Sequence, residues 1–368
     1  MGEKRKKTGS ECVVGVDIGA GNGSKIGVYD LDANLLAEGF LSVNSYGPDS
    51  DSFGDRLAEA MRAALAALPD REPIGIGLAC PGIFSSDGTG LVVANIPILA
   101  NTRPAAIVSS RFTLPTWLLN DAAAGGLAEW HLCKHEVVYW VLGGGWGGTW
   151  INSDGNQLIP SMGWSGKVED LNCVNEPGFI IPLYRSEITP IAEKFGLSWE
   201  NLLTCLPEGA VISGGVEEWV RAETVTASCG GIRRLFKAFL KYNPRGKEIA
   251  DPSGDDNCEM VLGNLAEQGF EPAENTEAFF AESWALAVDR FYDLSAKHGL
   301  TPSVPVHLAG GVSNISNRFL PALQNHLRRR GVEPSFRISQ TRLANINANL
   351  LGAGMLAIRG VRETVMEK

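Results

Sequence analysis

The stretch from Cys12 to Asp30, CVVGVDIGAGNGSKIGVYD, decides the fold. An apolar strand carrying Val13, Val14 and Val16 delivers Asp17 into a glycine run, and a second strand with Ile26, Val28 and Tyr29 leaves it. Glycine lets backbone approach a ligand closely, so Gly19, Gly21 and Gly23 place exposed N–H groups beside a strand-end carboxylate. Two commoner phosphate loops are excluded. A dinucleotide fingerprint needs a helix after its glycines, and Ser24 to Tyr29 has no helical pattern; a P-loop needs a spacing that Gly23-Ser24-Lys25 does not supply. The same glycines also fit a plain hairpin.

Composition narrows the partners. The 368 residues suffice for two domains, and 44% hydrophobic with 20% charged residues is a globular balance. A net charge of -10 argues against nucleic acid, whose binders show a basic face. Lys4-Arg5-Lys6-Lys7 is the one basic run and reads as a solvated, disordered terminus. No apolar run reaches the roughly 20 residues of a membrane span, and no signal-peptide core is present, so a cytoplasmic protein is expected. Seven cysteines without a Cys-x-x-Cys suggest neither a disulfide framework nor a cysteine-rich zinc site. His131, Cys133 and His135 cluster, but no fourth ligand is identifiable.

Further along, Asp51 or Ser52 can cap a helix with Phe53, Leu57, Met61, Leu65 and Leu68 on one face, closed by Pro69. Ile74, Ile76 and Leu78 alternate with Gly75, Gly77 and Ala79 in a buried strand ending at Pro81-Gly82, where small residues predict close packing by backbone. Thr116 to Leu119 is a strand that ends in Asn120-Asp121 before a tightly packed small-residue helix, Ala122 to Ala128. Polar residues at such a strand end are where open α/β sheets bind ligands. The strand Val137 to Leu142 then runs into Gly143 to Gly148 and out through Thr149, Trp150 and Ile151, repeating the opening pattern. Two such loops can hold two phosphates. Residues 171–275 read as less regular, with loop-like segments at Glu176-Pro177-Gly178 and Asp251 to Asn257. A long helix presents Phe280, Trp284, Ala287, Phe291 and Leu294 and ends at Gly299; Val304 to Leu308 is a strand entering Ala309-Gly310-Gly311, and Ile346 to Ile358 a small-residue helix.

The ordered set of Asp17 with its glycine turn, Pro81-Gly82, Asn95-Ile96-Pro97, Asn120-Asp121, Gly143 to Gly148, Ala309-Gly310-Gly311-Val312 and Gly352-Ala353-Gly354 resembles the ROK family of sugar kinases and repressors. The resemblance runs from about Val13 to Leu356. It implies a two-domain actin-like, hexokinase-like α/β ATPase fold with mixed sheets and an interdomain cleft. The N-terminal domain would comprise 12–122 and 346–368 after a basic segment at 1–11, and the C-terminal domain 123–345 with an insertion at 171–221.

By the same resemblance the protein phosphorylates a hydroxyl of a sugar or sugar derivative, with ATP and Mg2+, and a homodimer is allowed. Asp121 would be the general base, although an aspartate there also fits a helix cap. Asp17 would orient magnesium. Gly19, Gly21, Gly23, Lys25, Gly143, Gly144, Gly145 and Gly147 would face the ATP phosphates, and Gly310 and Gly311 the adenosine. Asn95, Asn120 and Glu223 would bind substrate, as would Lys167 and Asp170, which stand where the family carries a glutamate and a histidine. The family's zinc-binding cysteines are missing, so no structural zinc is expected. A sugar-binding sensor or regulator on the same fold is the alternative; no helix-turn-helix precedes Val13.

Overall fold

The computed structural model describes residues 10–366 apart from 86, 160–171, 214, 227, 255 and 256. In chain order its strands are β1 (Glu11–Asp17), β2 (Gly23–Tyr29), β3 (Leu35–Ser42), β4 (Glu72–Cys80), β5 (Gly82–Phe84), β6 (Leu91–Ala94) and β7 (Thr116–Asn120). They continue with β8 (Val137–Leu142), β9 (Trp146–Ile151), β10 (Pro182–Tyr184), β11 (Val211–Ile212), β12 (Trp219–Arg221), β13 (Val306–Ala309) and β14 (Phe336–Ile338). The helices are α1 (Ser50–Ala66), α2 (Pro104–Phe112), α3 (Asp121–Cys133), α4 (Pro177–Ile180), α5 (Arg185–Lys194), α6 (Trp199–Leu203) and α7 (Ala222–Val225). After them come α8 (Cys229–Tyr242), α9 (Cys258–Glu267), α10 (Glu271–Ser295), α11 (Ser316–Arg328), α12 (Gln340–Leu343) and α13 (Ala348–Met366).

These elements form two compact units. The first comprises 1–136, 150–171 and 340–368, and the second 137–149 and 172–339. The first unit is built on a mixed sheet in the order β3-β2-β1-β4-β7, in which β1 pairs antiparallel with β2 and parallel with β4, and β4 parallel with β7. Register sets Asp17 opposite Ala79, and Cys80 opposite Asn120, so the C-terminal ends of the three parallel strands line up. One face packs on α1 through Val14, Ile26, Phe53, Leu57, Met61 and Leu78.

Helix α13 covers the other face, and its small residues are dictated by that approach. A Cβ on Gly15 would lie 2.7 Å from the Gly354 nitrogen, one on Gly77 would overlap the Ala353 carbonyl, and one on Gly352 would overlap the Ala124 carbonyl of α3. The close backbone packing expected of the Ile74 to Ala79 strand is therefore present, with α13 as the neighbour.

The second unit holds a four-stranded sheet, β14-β13-β8-β9, with β13 parallel to both β14 and β8. Its core is aromatic: Trp140 and Trp146 meet edge to face at 4.8 Å, and Trp140 and Phe291 at 4.9 Å. A three-stranded antiparallel sheet, β10-β12-β11, lies within the stretch expected to be an insertion.

Several local readings are corrected. The cap of α1 is Asp49, whose extended backbone lets its side chain accept from Ser52 N–H at 2.7 Å, whereas Asp51 lies inside the first turn. The stretch 171–275 is more regular than expected. Ile232, Leu235, Phe236 and Phe239 give α8 a buried stripe at helical spacing, and Pro177 opens the short helix α4 where a loop was expected. Strand β9 begins at Trp146, inside the glycine run, where the buried indole packs edge to face on Trp140. The last helix runs on to Met366. Among the described residues no helix is long and apolar enough to cross a membrane.

Candidate active site

In the first unit the candidate site grows from the three strand ends. Asp17 closes β1, and its carboxylate accepts from Asn347 Nδ2 at 3.2 Å and Asn349 Nδ2 at 3.4 Å. Asn347 also accepts from Leu350 N–H at 3.1 Å, so one amide both caps α13 and holds Asp17. The glycine turn is tied down by Tyr46, which donates to the Gly19 carbonyl at 2.6 Å and shares a 2.7 Å bond with Ser24 Oγ. Gly23 has φ +134 and its backbone lies against Leu41, while Gly19 packs on the Gly23 carbonyl. Gly21 alone faces open space. Lys25 sits exposed on β2, opposite Asp17 in the register.

At the end of β7, Asn120 is the residue that caps α3. Its Oδ1 accepts from Ala122 N–H at 2.9 Å and Ala123 N–H at 3.3 Å, and its Nδ2 donates to the Gly82 carbonyl at 3.2 Å. This division of labour frees Asp121 from capping. Asp121 accepts from Ala122 N–H at 2.9 Å, and burial pushes its carboxyl up to about 6, with the Asp17 charge adding to the rise and the N–H groups of Ala122 and Asp121 itself opposing it. Asn95 lies exposed just before the turn at Pro97–Leu99.

In the second unit, the turn from β8 to β9 is closed by Gly143 N–H donating to the Gly145 carbonyl at 3.0 Å, and is joined to α8 by Cys229 N–H donating to Gly143 O at 2.8 Å. A Cβ on Gly143 or Gly144 would meet no protein atom within 4 Å, so neither packing nor fold demands glycine there. Gly145 is different: its missing Cβ faces Glu223 Oε2 at 2.6 Å. The Glu223 carboxylate accepts from Trp146 N–H, and burial raises its pKa against the opposing pull of that bond, Arg221 and Arg234. Gly147 lies within β9.

Gly310 has φ +84 and packs on the Leu142 backbone, and Gly311 faces Cys229 Sγ at 2.7 Å, so both glycines are set by contacts within the unit. Lys167 and Asp170 lie outside the described residues.

The His131 cluster has ordinary partners. His131 Nδ1 lies 3.0 Å from Lys134 Nζ and His135 Nδ1 2.8 Å from the Glu136 carbonyl. Among the described residues no group of three or more His, Cys, Asp or Glu side chains is arranged to hold a metal ion. The residues missed in the sequence are Tyr46, Asn347 and Asn349. Each reaches its target from far along the chain, although the alternating Asn345-Ile346-Asn347-Ala348-Asn349 was a visible polar signal before an apolar helix.

Solved structures share this architecture almost end to end. A ROK hexokinase from Thermus thermophilus matches with TM-score 0.65 and 22% identity over 96% of this chain and 99% of that one. A ROK family glucokinase from Streptomyces griseus, solved in complex with glucose and AMPPNP, matches with TM-score 0.62 and 19% identity over 95% and 99% of the two chains. The chain thus has the α/β fold of these ROK structures, in a sequence-divergent form. By sequence, a beta-glucoside kinase of Klebsiella pneumoniae is 33% identical over 143 residues, 37% of this chain and 45% of that enzyme. The match therefore spans less than half of that enzyme's length. No family model matches the chain.

Proposed function

We propose that this chain is an ATP- and Mg2+-dependent kinase that phosphorylates a hydroxyl of a sugar or sugar derivative. The observation that carries the proposal is the placing of two carboxylates, Asp17 and Asp121, at the aligned C-terminal ends of β1 and β7, with burial raising the Asp121 pKa to about 6. A base is most useful when its pKa lies near the working pH, and about 6 suits Asp121 to accept a proton at neutral pH. The substrate oxygen would attack the γ-phosphorus as its proton passes to Asp121; the new P–O bond forms, the bond to ADP breaks, and the products are a sugar phosphate and ADP.

The residues present fit the nucleotide and its metal. Gly143 and Gly144 leave backbone open where a side chain would intrude, which suits a polyphosphate. Asp17 is held by two amides that donate to it, which keeps its carboxylate aimed while leaving lone pairs for magnesium-bound water. Magnesium would neutralise charge developing on the phosphates. The fold likeness to a glucokinase solved with glucose and AMPPNP supports the class of reaction, and Asn95, Lys167 and Asp170 are the residues we assign to the acceptor side. Glu223, as its hydrogen bond stands, serves the β8–β9 turn.

The test is ATP turnover with Mg2+ across hexoses, hexosamines, acetylated sugars and polyols, in the native chain and in Asp121→Asn. Loss of turnover by at least 100-fold with nucleotide affinity retained is expected; unchanged turnover in the variant would sink the assignment. Sugar-dependent thermal stabilisation with no turnover by the native chain would assign it to the sensors instead.

A further inference from the structure

Among the described residues, two cations, Arg221 and Arg234, act on the Glu223 carboxylate beside the β8–β9 turn, in a chain whose net charge is -10. That carboxylate already accepts from Trp146 N–H. The neighbouring Arg233 is neutralised by Glu259 at 2.9 Å. Arg221 lies over the Phe179 ring, 3.5 Å from its centroid. Arg234 has no carboxylate within salt-bridge distance among the described residues. Its Nε donates to the Thr224 carbonyl at 2.8 Å and its Nη2 to the Glu223 carbonyl at 3.2 Å, while Nη1 has no hydrogen-bond partner among those residues. A half-buried guanidinium with an unused donor is poised for an anion.

The loop and this cation border one point. A Cβ on Gly230 would lie 3.0 Å from the Gly144 carbonyl oxygen and 3.2 Å from both Nη atoms of Arg234. On the loop itself, Gly143 and Gly144 are open, with no internal contact that requires glycine. A planar fork suits phosphoryl oxygens, which accept its in-plane N–H donors; the loop atom nearest that point, the Gly144 carbonyl oxygen, is itself an acceptor, so the donating falls to Arg234.

The geometry points to Arg234 as a phosphate-binding residue, its Nη1 donating to a phosphoryl oxygen of a polyphosphate chain seated on Gly143-Gly144. This inference rests on the kinase reading and adds to it a side chain that holds the nucleotide's phosphates. It separates two roles within one arginine. Nε and Nη2 fix the carbonyls at the end of α7, and Nη1 faces the ligand.

The experiment compares ATP, inorganic tripolyphosphate and adenosine, each titrated calorimetrically into the native chain, Arg234→Gln and Gly144→Val. Gly144→Val is included because a Cβ at Gly144 meets no protein atom within 4 Å, so the variant probes ligand approach at a position away from the α7 carbonyls that Arg234 holds. Both variants are expected to lose about tenfold or more in affinity for ATP and tripolyphosphate, while adenosine binds as before. Native-like tripolyphosphate and ATP affinity in Arg234→Gln overturns the proposal, as does an equal loss for adenosine, which would mark a structural role. If sugar turnover is intact and Arg234→Gln leaves the KM for ATP unchanged, this inference falls and the kinase reading stands. If no sugar is turned over but tripolyphosphate binding still depends on Arg234, the reverse holds.

Discussion

A carboxyl with a pKa of about 6 is mostly ionised at neutral pH and loses its charge just below it. With Asp121 as base, kcat/KM should fall about tenfold per pH unit below that value, which a pH–rate profile measures. The same shift makes a prediction about stability. Because the folded-state value lies above the unfolded one of 3.8, the folded chain holds this proton more tightly. The contribution is therefore fully present below about pH 4 and is lost as pH rises through about 6. Asparagine has no charge to bury and keeps the oxygen that accepts from Ala122 N–H. Asp121→Asn should accordingly unfold several degrees higher than the native chain at pH 8 and at the same temperature at pH 4, by calorimetry at both. A variant that is inactive yet more stable is what a functional carboxyl held against its solvation preference produces.

At the scale of the element, α13 shows what a pattern of small residues can and cannot tell. The sequence marked Ile346 to Ile358 as a small-residue helix, but not that α3, β1 and β4 are its neighbours, because apolar periodicity names a face and not its partner. Gly352→Ala would drive a methyl into the Ala124 carbonyl and should cost about 1–3 kcal/mol in chemical denaturation. The helix's start carries a second prediction. Asn347→Ala removes the bond to Leu350 N–H, at about 1 kcal/mol, and one of the two donors to Asp17. It should therefore lower stability modestly and raise the Mg2+ concentration required for half-maximal nucleotide binding; Asn347→Ser, which still caps, should recover the first effect only. The strands were the most legible elements, since β1, β2, β4, β7 and β8 are short apolar runs bounded by glycine or turn residues. Tyr46 was not, because it reaches the Gly19 carbonyl across 27 positions and nothing local marks its hydroxyl as a tether.

Across the whole molecule, what could be read was the repetition of strand, glycine loop and strand at Val13–Tyr29 and Val137–Ile151, which places one such loop in each compact unit. The aspartates at the strand ends were legible because polar residues are conspicuous after apolar runs. The assignment of capping to Asn120 and of a raised pKa to Asp121 was not, since adjacent residues of similar propensity are distinguished only by the angle at which the helix leaves the strand. Burial of Glu129 was likewise invisible. Its carboxylate accepts from Gln340 N–H at 2.6 Å and Thr341 N–H at 3.1 Å, receiving the chain where it re-enters the first unit. Glu129→Ala should leave those donors without that acceptor and cost about 2–4 kcal/mol, read from the midpoint of urea unfolding.

The order in which the chain visits its two units bears on how it is made. Helix α13, which closes the sheet face formed by β1 and β4, is synthesised after every residue of the second unit. During translation the first sheet must therefore wait, with α3 but not α13 on that face, while the residues up to Ser339 emerge from the ribosome. Pairings across such sequence distances slow folding, and a nascent chain stalled before Ala348 would present that face to chaperones or to its own neighbours.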